Sequence, residues 1–531
     1  MSTVAPGAPP VAPLAAAARS EKSRRWLIAV SVALGALLEI VDSSIVNVAI
    51  PQMQASLGAT LSEVGWVVTS YAIANVIILP LSAWLGDRFG KTRFFVFSLV
   101  AFVASSVLCG LSTSLSMLVF ARVLQGLFGG GLLAKAQSIL FETFPKEEQA
   151  QAQALFGIVA IAGPAIGPTL GGYIVTNLDW RWIFYINVPI GIVAILMAGT
   201  FLPKDGPPKS TSGVDWFSIL LLASGLGAMQ TLLEEGASHD WFASWMIRGC
   251  GAITLVALVW FVLRQLGTDN PVVDLRVLRH RSLWIGCLVS AVIGMGLYGA
   301  LFAVPIFAQT SLHFTSQQTG MLLLPGALTS AFTMPIAAKL LGKFDPRALI
   351  IAGASIVVGA MLWLASLNPT MGADDLFWPL ILRGGGTVFM FLPMSMAALG
   401  SVPVHEISKA TGLYNLTRQI GGGVGIAILT TLLSSRQSFH RAVLVEKLSA
   451  TDPAVLRRLD TMTGGFVARG FDPVEAKRKA LLLLDGGASA QAAVMSFADT
   501  FWMVAVVFIA SAPLVLLLGK SNRRATIGGG H

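Results

Sequence analysis

Fourteen separate runs of mostly apolar residues, each near twenty long, leave this 531-residue chain little option but to fold inside a lipid bilayer. A spanning helix needs about 20 such residues, because backbone groups in hydrocarbon find hydrogen-bond partners only within a helix or a closed barrel. The runs lie near 27–50, 64–83, 94–111, 116–140, 151–174, 182–201, 215–233, 247–263, 283–307, 318–340, 348–366, 376–399, 409–433 and 495–518. Only 12% of the residues are charged, where a soluble chain carries roughly a quarter. The fold class that follows is an all-α polytopic membrane protein.

The first run contains Glu39 and Asp42 and ends without a small-residue cleavage site, so it reads as a retained membrane helix and not a signal peptide. The formal net charge of +9 would suit a nucleic-acid binder, but its placement argues otherwise. With the N-terminus inside, the short inside segments and their edges hold twenty lysines and arginines, from Arg19 and Lys22 to Arg523 and Arg524. The short outside segments hold Arg181, with Arg248 at the edge of the eighth run. That asymmetry places both termini in the cytoplasm. Residues 434–494 depart from it, with nine basic residues in a segment expected outside. Loops of this length cross regardless of charge, so the topology stands. The segment is expected to form either a small helical periplasmic element or a peripheral interfacial helix. Cys109, Cys250 and Cys287 lie far apart in apolar runs and read as small buried residues.

The chain also repeats itself. Leu85-Gly86-Asp87-Arg88 follows the second run, and Leu341-Gly342-Lys343 with Asp345 and Arg347 follows the tenth. Arg122 lies early in the fourth run and Arg383 early in the twelfth, while glycines crowd the fifth and thirteenth. Two six-helix halves with the seventh and eighth helices inserted explain all three pairings. The expected map is a disordered cytoplasmic tail at 1–25, an N-terminal bundle at 26–201 and a linker with two extra membrane helices at 202–282. A C-terminal bundle at 283–520, containing the periplasmic loop 434–494, and a cytoplasmic tail at 521–531 complete it. Transporters built from such repeats bind substrate between the halves.

Charges inside the membrane point to function, because each costs about 2.5–3.5 kcal/mol at a helix centre. Glu39 and Asp42 stand three apart and share one helix face. Two carboxylates this close titrate as a coupled pair, suited to loading and releasing a proton. Alternatively, one of them simply pairs with Arg122, whose guanidinium stays protonated and cannot itself carry the proton. Lys135 is expected to snorkel to the cytoplasmic interface. Arg383 and Arg418 meet either anionic substrate groups or helix-end carbonyls. The fifth run reads Gly163-Pro-Ala-Ile-Gly167-Pro168-Thr-Leu-Gly171-Gly172, where glycines four apart permit close helix approach and proline bends the helix. Gly86 to Thr92 imitates a phosphate-binding loop, but three residues separate its glycines where four are needed, and no strand precedes it. ATP-driven transport is therefore not expected, nor is an enzyme.

These motifs converge. Over residues 25–520 the chain resembles the major facilitator superfamily, in its fourteen-helix drug:proton antiporter branch of the EmrB type. Asp42-Ser-Ser-Ile-Val-Asn-Val-Ala-Ile-Pro51 is similar to that branch's first-helix motif. Leu85-Gly-Asp87-Arg88-Phe-Gly90-Lys91 is similar to the superfamily's loop motif, except that Ala83 replaces its leading glycine. Arg122-Val-Leu-Gln125-Gly126 resembles the fourth-helix motif, and the glycine-proline run above resembles the antiporter motif of helix five. Trp180 to Pro189 and Gly412 to Gln419 are typical of the branch.

The resemblance implies the major facilitator fold, an inner-membrane location and export of small amphipathic compounds by alternating access, with the proton gradient as energy source and no cofactor. It implies proton coupling by Glu39, Asp42 and Arg122, and conformational roles for Asp87, Arg88, Gly90, Gly163, Gly167, Pro168, Gly171 and Gly172. Candidate substrate contacts are Trp66, Phe128, Tyr298, Phe302, Met390, Met394, Tyr414 and Arg418. Implied partners are the substrate, protons, the lipid bilayer, a periplasmic adaptor and an outer-membrane channel, with no nucleic acid. A symporter or lipid exporter on the same fold and a non-transporting membrane sensor are the alternatives.

Overall fold

The computed structural model describes residues 12–206, 213–366, 368, 371–448 and 452–518. Seventeen α-helices follow in order: α1 (Ala12–Leu57), α2 (Leu61–Phe89), α3 (Lys91–Gly110), α4 (Leu115–Gly129), α5 (Leu132–Thr143), α6 (Lys146–Asn177), α7 (Trp182–Tyr185), α8 (Asn187–Phe201), α9 (Trp216–Glu235), α10 (Trp245–Gly267), α11 (Arg281–Thr310), α12 (Ser316–Leu341), α13 (Pro346–Leu364), α14 (Ala373–Leu399), α15 (Ile407–Glu446), α16 (Pro453–Val467) and α17 (Pro473–Leu516). With α4–α5 and α7–α8 each forming one crossing, fourteen helices among the described residues are long and apolar enough to span a bilayer. An even number of crossings puts both ends of the bundle on one face, called here the termini side.

The repeat seen in the sequence is built in three dimensions. The second helices of the two halves, α2 and α12, both start at a capping box, Thr60 with Glu63 and Thr315 with Gln318. Within each half, the fifth helix lies against the first: α6 on α1, and α15 on α11. Small residues permit this. A Cβ on Gly171 would meet Ile45 of α1 at 2.8 Å, and one on Gly425 would meet Met295 of α11 at 2.6 Å. The halves meet along α6 with α12 and α15 with α2, again as equivalent pairs. The inserted pair α9–α10 lies across the second of these seams. Leu222 and Leu226 of α9 share one buried cluster with Val76 and Leu79 of α2 and Leu413 and Leu416 of α15.

One expectation is corrected. Residues 12–25 belong to α1 and not to a disordered tail; residues 1–11 and 521–531 lie outside the described residues. The alanine-rich stretch favours helix, and Glu21 pairs with Arg25 one turn on at 2.6 Å, so the helix extends beyond its span. Residues 434–494 are largely helical. Beyond the membrane α15 runs on to Glu446, α16 follows, and α17 starts at Pro473, so the two long helices project from the far side as a helical column. His440 Nε2 lies 2.8 Å from Asp499 and Arg441 donates to Asp485 at 2.7 Å, tying α15 to α17.

Asp215, one residue before the α9 span, joins the inserted pair. It accepts from Arg264 of α10 at 3.0 and 3.2 Å and caps Ser218 N at 3.1 Å. The Arg264 hydrogen bonds hold its carboxyl down at about 2, below the ordinary value of about 3.9. A folded-state value below the unfolded one stabilises fully above about pH 4, and the gain is lost as pH falls toward 2. Protection of the amides at the start of α9, taken relative to the intrinsic exchange rate at each pH, should therefore fall over that interval in the wild type, and show no such step in Asp215→Asn.

Candidate functional site

Four elements bring a closed polar cluster around Asp42. Arg122 Nη1 of α4 donates to Asp42 Oδ2 at 2.6 Å, and both side chains are wholly buried. Gln125 Nε2 and Asn187 Nδ2 each donate to Asp42 Oδ1 at 2.8 Å. Arg122 Nε donates to the Val67 carbonyl at 3.0 Å, and its guanidinium lies 3.9 Å from the Tyr71 ring centroid. Asn187 in turn donates to Ser106 at 3.0 Å. A buried ion pair holds only when its remaining lone pairs and protons are satisfied, and this one is bound on nearly every side.

Glu39, one turn away, is held quite differently. Its Oε1 accepts from Asn75 Nδ2 at 3.0 Å and its Oε2 from the Leu133 backbone N–H at 2.8 Å. Among the described residues no lysine or arginine pairs with it, although the side chain is 6% exposed. The Leu133 amide is available because the fourth crossing breaks at Gly129-Gly130-Gly131, between α4 and α5. The first amides of α5 have no partner within their helix, and Gly131 offers no side-chain cap. The glycines serve close packing: a Cβ on Gly130 would lie 2.5 Å from the Asn75 carbonyl of α2.

A second chain of polar contacts crosses the seam between the halves. Gln419 Nε2 of α15 donates to Asn75 Oδ1 at 3.0 Å, and Asn415 Nδ2 donates to Gln137 Oε1 of α5 at 2.7 Å. Arg418 Nη2 donates to Asn415 at 2.6 Å, its guanidinium sits 5.1 Å from the Phe391 ring, and its Nη1 has no partner within hydrogen-bond distance. Lys135 does not snorkel to a free interface as expected. It is 1% exposed, and its Nζ donates to Ser408 of the opposite half at 2.9 Å. The α5–α15 seam is near enough for the lysine to bond there instead.

The motif residues flank this seam. A Cβ on Gly86 would collide with the Lys135 ammonium, and Gly90 (φ +95°) opens space for Asp205, whose carboxylate caps the Thr92 and Arg93 amides at 2.9 and 2.8 Å. Arg88 lies over Trp84. In α6, Gly163, Gly167 and Gly171 face α1, while Gly172 faces Gln317 of α12, so one glycine-proline run packs on both halves.

The eight proposed substrate contacts do not form one site. Met390 and Met394 are buried in the core of the C-terminal half, Tyr414 is 1% exposed, and Phe128 stacks edge-on against the exposed Phe97. Periodicity marks these as apolar but not which way their helix faces turn. Trp66 is exposed on α2. Tyr298 and Phe302 are half-buried on α11, and Tyr298 lies against Gly422 of α15. Arg383 is buried with Nη1 unpartnered. Sequence reasoning missed Asn75, Gln125, Gln137, Asn187, Ser408, Asn415 and Gln419 as a network. Amides within apolar runs were the available mark.

The family model described as Major Facilitator Superfamily matches residues 32–426. The chain is 32% identical over 496 residues to the Multidrug export protein EmrB of Escherichia coli strain K12, covering 93% of this chain and 95% of that protein. It is 29% identical over 504 residues to the Fatty acid resistance protein FarB of Neisseria gonorrhoeae, covering 95% and 97%. The structure of the human organic anion transporter MFSD10 (TETRAN) superimposes with a TM-score of 0.55 at 14% identity, covering 91% of this chain and 99% of that one, a likeness of fold.

Proposed function

The chain belongs to the Major Facilitator Superfamily, and from that premise we propose that it exports small amphipathic compounds across the inner membrane in exchange for protons, by alternating access of its two halves. It is a multi-pass transporter. Export is supported by the EmrB relatives, named for multidrug export and covering nearly the whole chain.

The observation that carries proton exchange is Glu39: a buried carboxylate in the membrane, paired by no lysine or arginine among the described residues, one turn from an aspartate that has one. We assign the travelling proton to Glu39. Asp42 and Arg122 act as a fixed pair that holds α1, α4 and α8 around it. Asp87, Arg88, Gly90 and, in α6, Gly163, Gly167, Pro168, Gly171 and Gly172 are read as packing elements of the moving seams. Arg418, Tyr298 and Phe302 are the retained substrate contacts. The far-side column of α15, α16 and α17 is read as the contact for a periplasmic adaptor leading to an outer-membrane channel.

Each proton entering down the membrane potential supplies about 2.3 kcal/mol per 100 mV. Cells expressing the protein should therefore accumulate less of an amphipathic drug than empty cells, and a protonophore should erase the difference. A difference that persists with the protonophore contradicts proton drive.

A further inference from the structure

We propose that α5, the second half of the broken fourth crossing, is the element through which the charge on Glu39 holds or releases the termini-side contact between the two halves. The inference rests on the assignment of the proton to Glu39.

The argument begins at the helix break. Leu133 presents an orphan first-turn amide, and Glu39 Oε2 supplies both an acceptor at 2.8 Å and a negative charge at the positive end of α5. Two and four residues further on, α5 carries Lys135 and Gln137, which bond Ser408 and Asn415 of α15 at 2.9 and 2.7 Å. The other carboxylate oxygen holds Asn75, and Asn75 holds Gln419 of α15, each at 3.0 Å. Three polar contacts between the halves thus trace back to one carboxylate.

The neighbours do not substitute for it. Asp42 on the same helix is occupied by Arg122. Arg418 acts on Glu39 electrostatically across the seam while donating to Asn415. The Tyr71 hydroxyl of α2 donates to the Glu39 backbone carbonyl, at 3.4 Å, and lies beside Asn75. Lys135 of α5 turns away toward Ser408. The charged residues of α6 sit in its first turn, and α8 has none.

Protonation has a definite consequence in this geometry. Each oxygen accepts one hydrogen bond, and protonation makes both bonds neutral, so the charge-assisted hold on Asn75 and on the Leu133 amide weakens. The charge that favours the α5 N-terminus disappears with it. The cap on α5 and the hold on Asn75 loosen together, and the contacts to α15 weaken with them. The direction suits exchange, since proton uptake releases the termini side.

The test uses the full chain in lipid nanodiscs, with Cys109, Cys250 and Cys287 replaced by alanine and spin labels on Lys146→Cys and Val404→Cys. Both positions are exposed on the termini side, one in each half. The interlabel distance is followed against pH. The wild type should pass from a short to a long distance as pH falls, and Glu39→Gln should be long throughout. Asn75→Leu removes a hydrogen bond to the charged form, so its opening midpoint should move up by about one pH unit or more. Lys135→Met should raise the open fraction at high pH by roughly five-fold. Wild-type profiles for Asn75→Leu and Lys135→Met beside a flat Glu39→Gln would overturn the role of α5 while leaving Glu39 as the proton carrier. A Glu39→Gln profile that follows pH like the wild type would overturn both.

Discussion

Replacing Arg122 by leucine should destabilise the folded transporter by about 3–5 kcal/mol, the cost of leaving a buried charge without its partner. Asp42 would keep Gln125 and Asn187 as donors but lose the cation at 2.6 Å, in surroundings closed to water. Adding Asp42→Asn to the same chain removes the stranded charge and should recover most of the loss. A double-mutant cycle read by denaturant unfolding in micelles separates the two effects. A double variant less stable than Arg122→Leu alone would show that the pair is not what locks α1 to α4.

Glu39→Gln should do the reverse, sparing the fold and removing the activity. The amide keeps the carboxylate's shape and one acceptor for Leu133, so the change in stability should stay near 1 kcal/mol. It holds no exchangeable charge, so drug accumulation in energised cells should rise to that of cells without the transporter. The contrast between two acidic positions three residues apart is the sharpest consequence of the geometry. In the proposed exchange Asp42 serves as a structural partner of Arg122, and Glu39 carries the proton.

Much of this was legible before any coordinates. Fourteen crossings follow from run length alone, and the repeat follows from the paired loop motifs, arginines and glycines. The separation of Glu39 from Asp42 was not, because spacing places both on one face and the difference lies in what α2, α4, α5 and α8 bring to each. Nor was Lys135, whose fate depends on how near Ser408 comes across the seam. For residues 434–494 the sequence left a helical element and an interfacial helix open, because the stretch is charged and alanine-rich, without the apolar run that marks a span. Aromatic and methionine residues misled most as substrate contacts, since a helix in lipid is apolar on every face and composition does not reveal which face meets the cavity.

The central claim, proton exchange through Glu39, is tested most directly by proton flux in proteoliposomes holding the purified protein and an acidic lumen equivalent to the far side. Adding drug outside should draw it inward and raise the lumenal pH in the wild type, with no pH change in Glu39→Gln. A fall in lumenal pH on drug entry, or a wild-type response from Glu39→Gln, would contradict it.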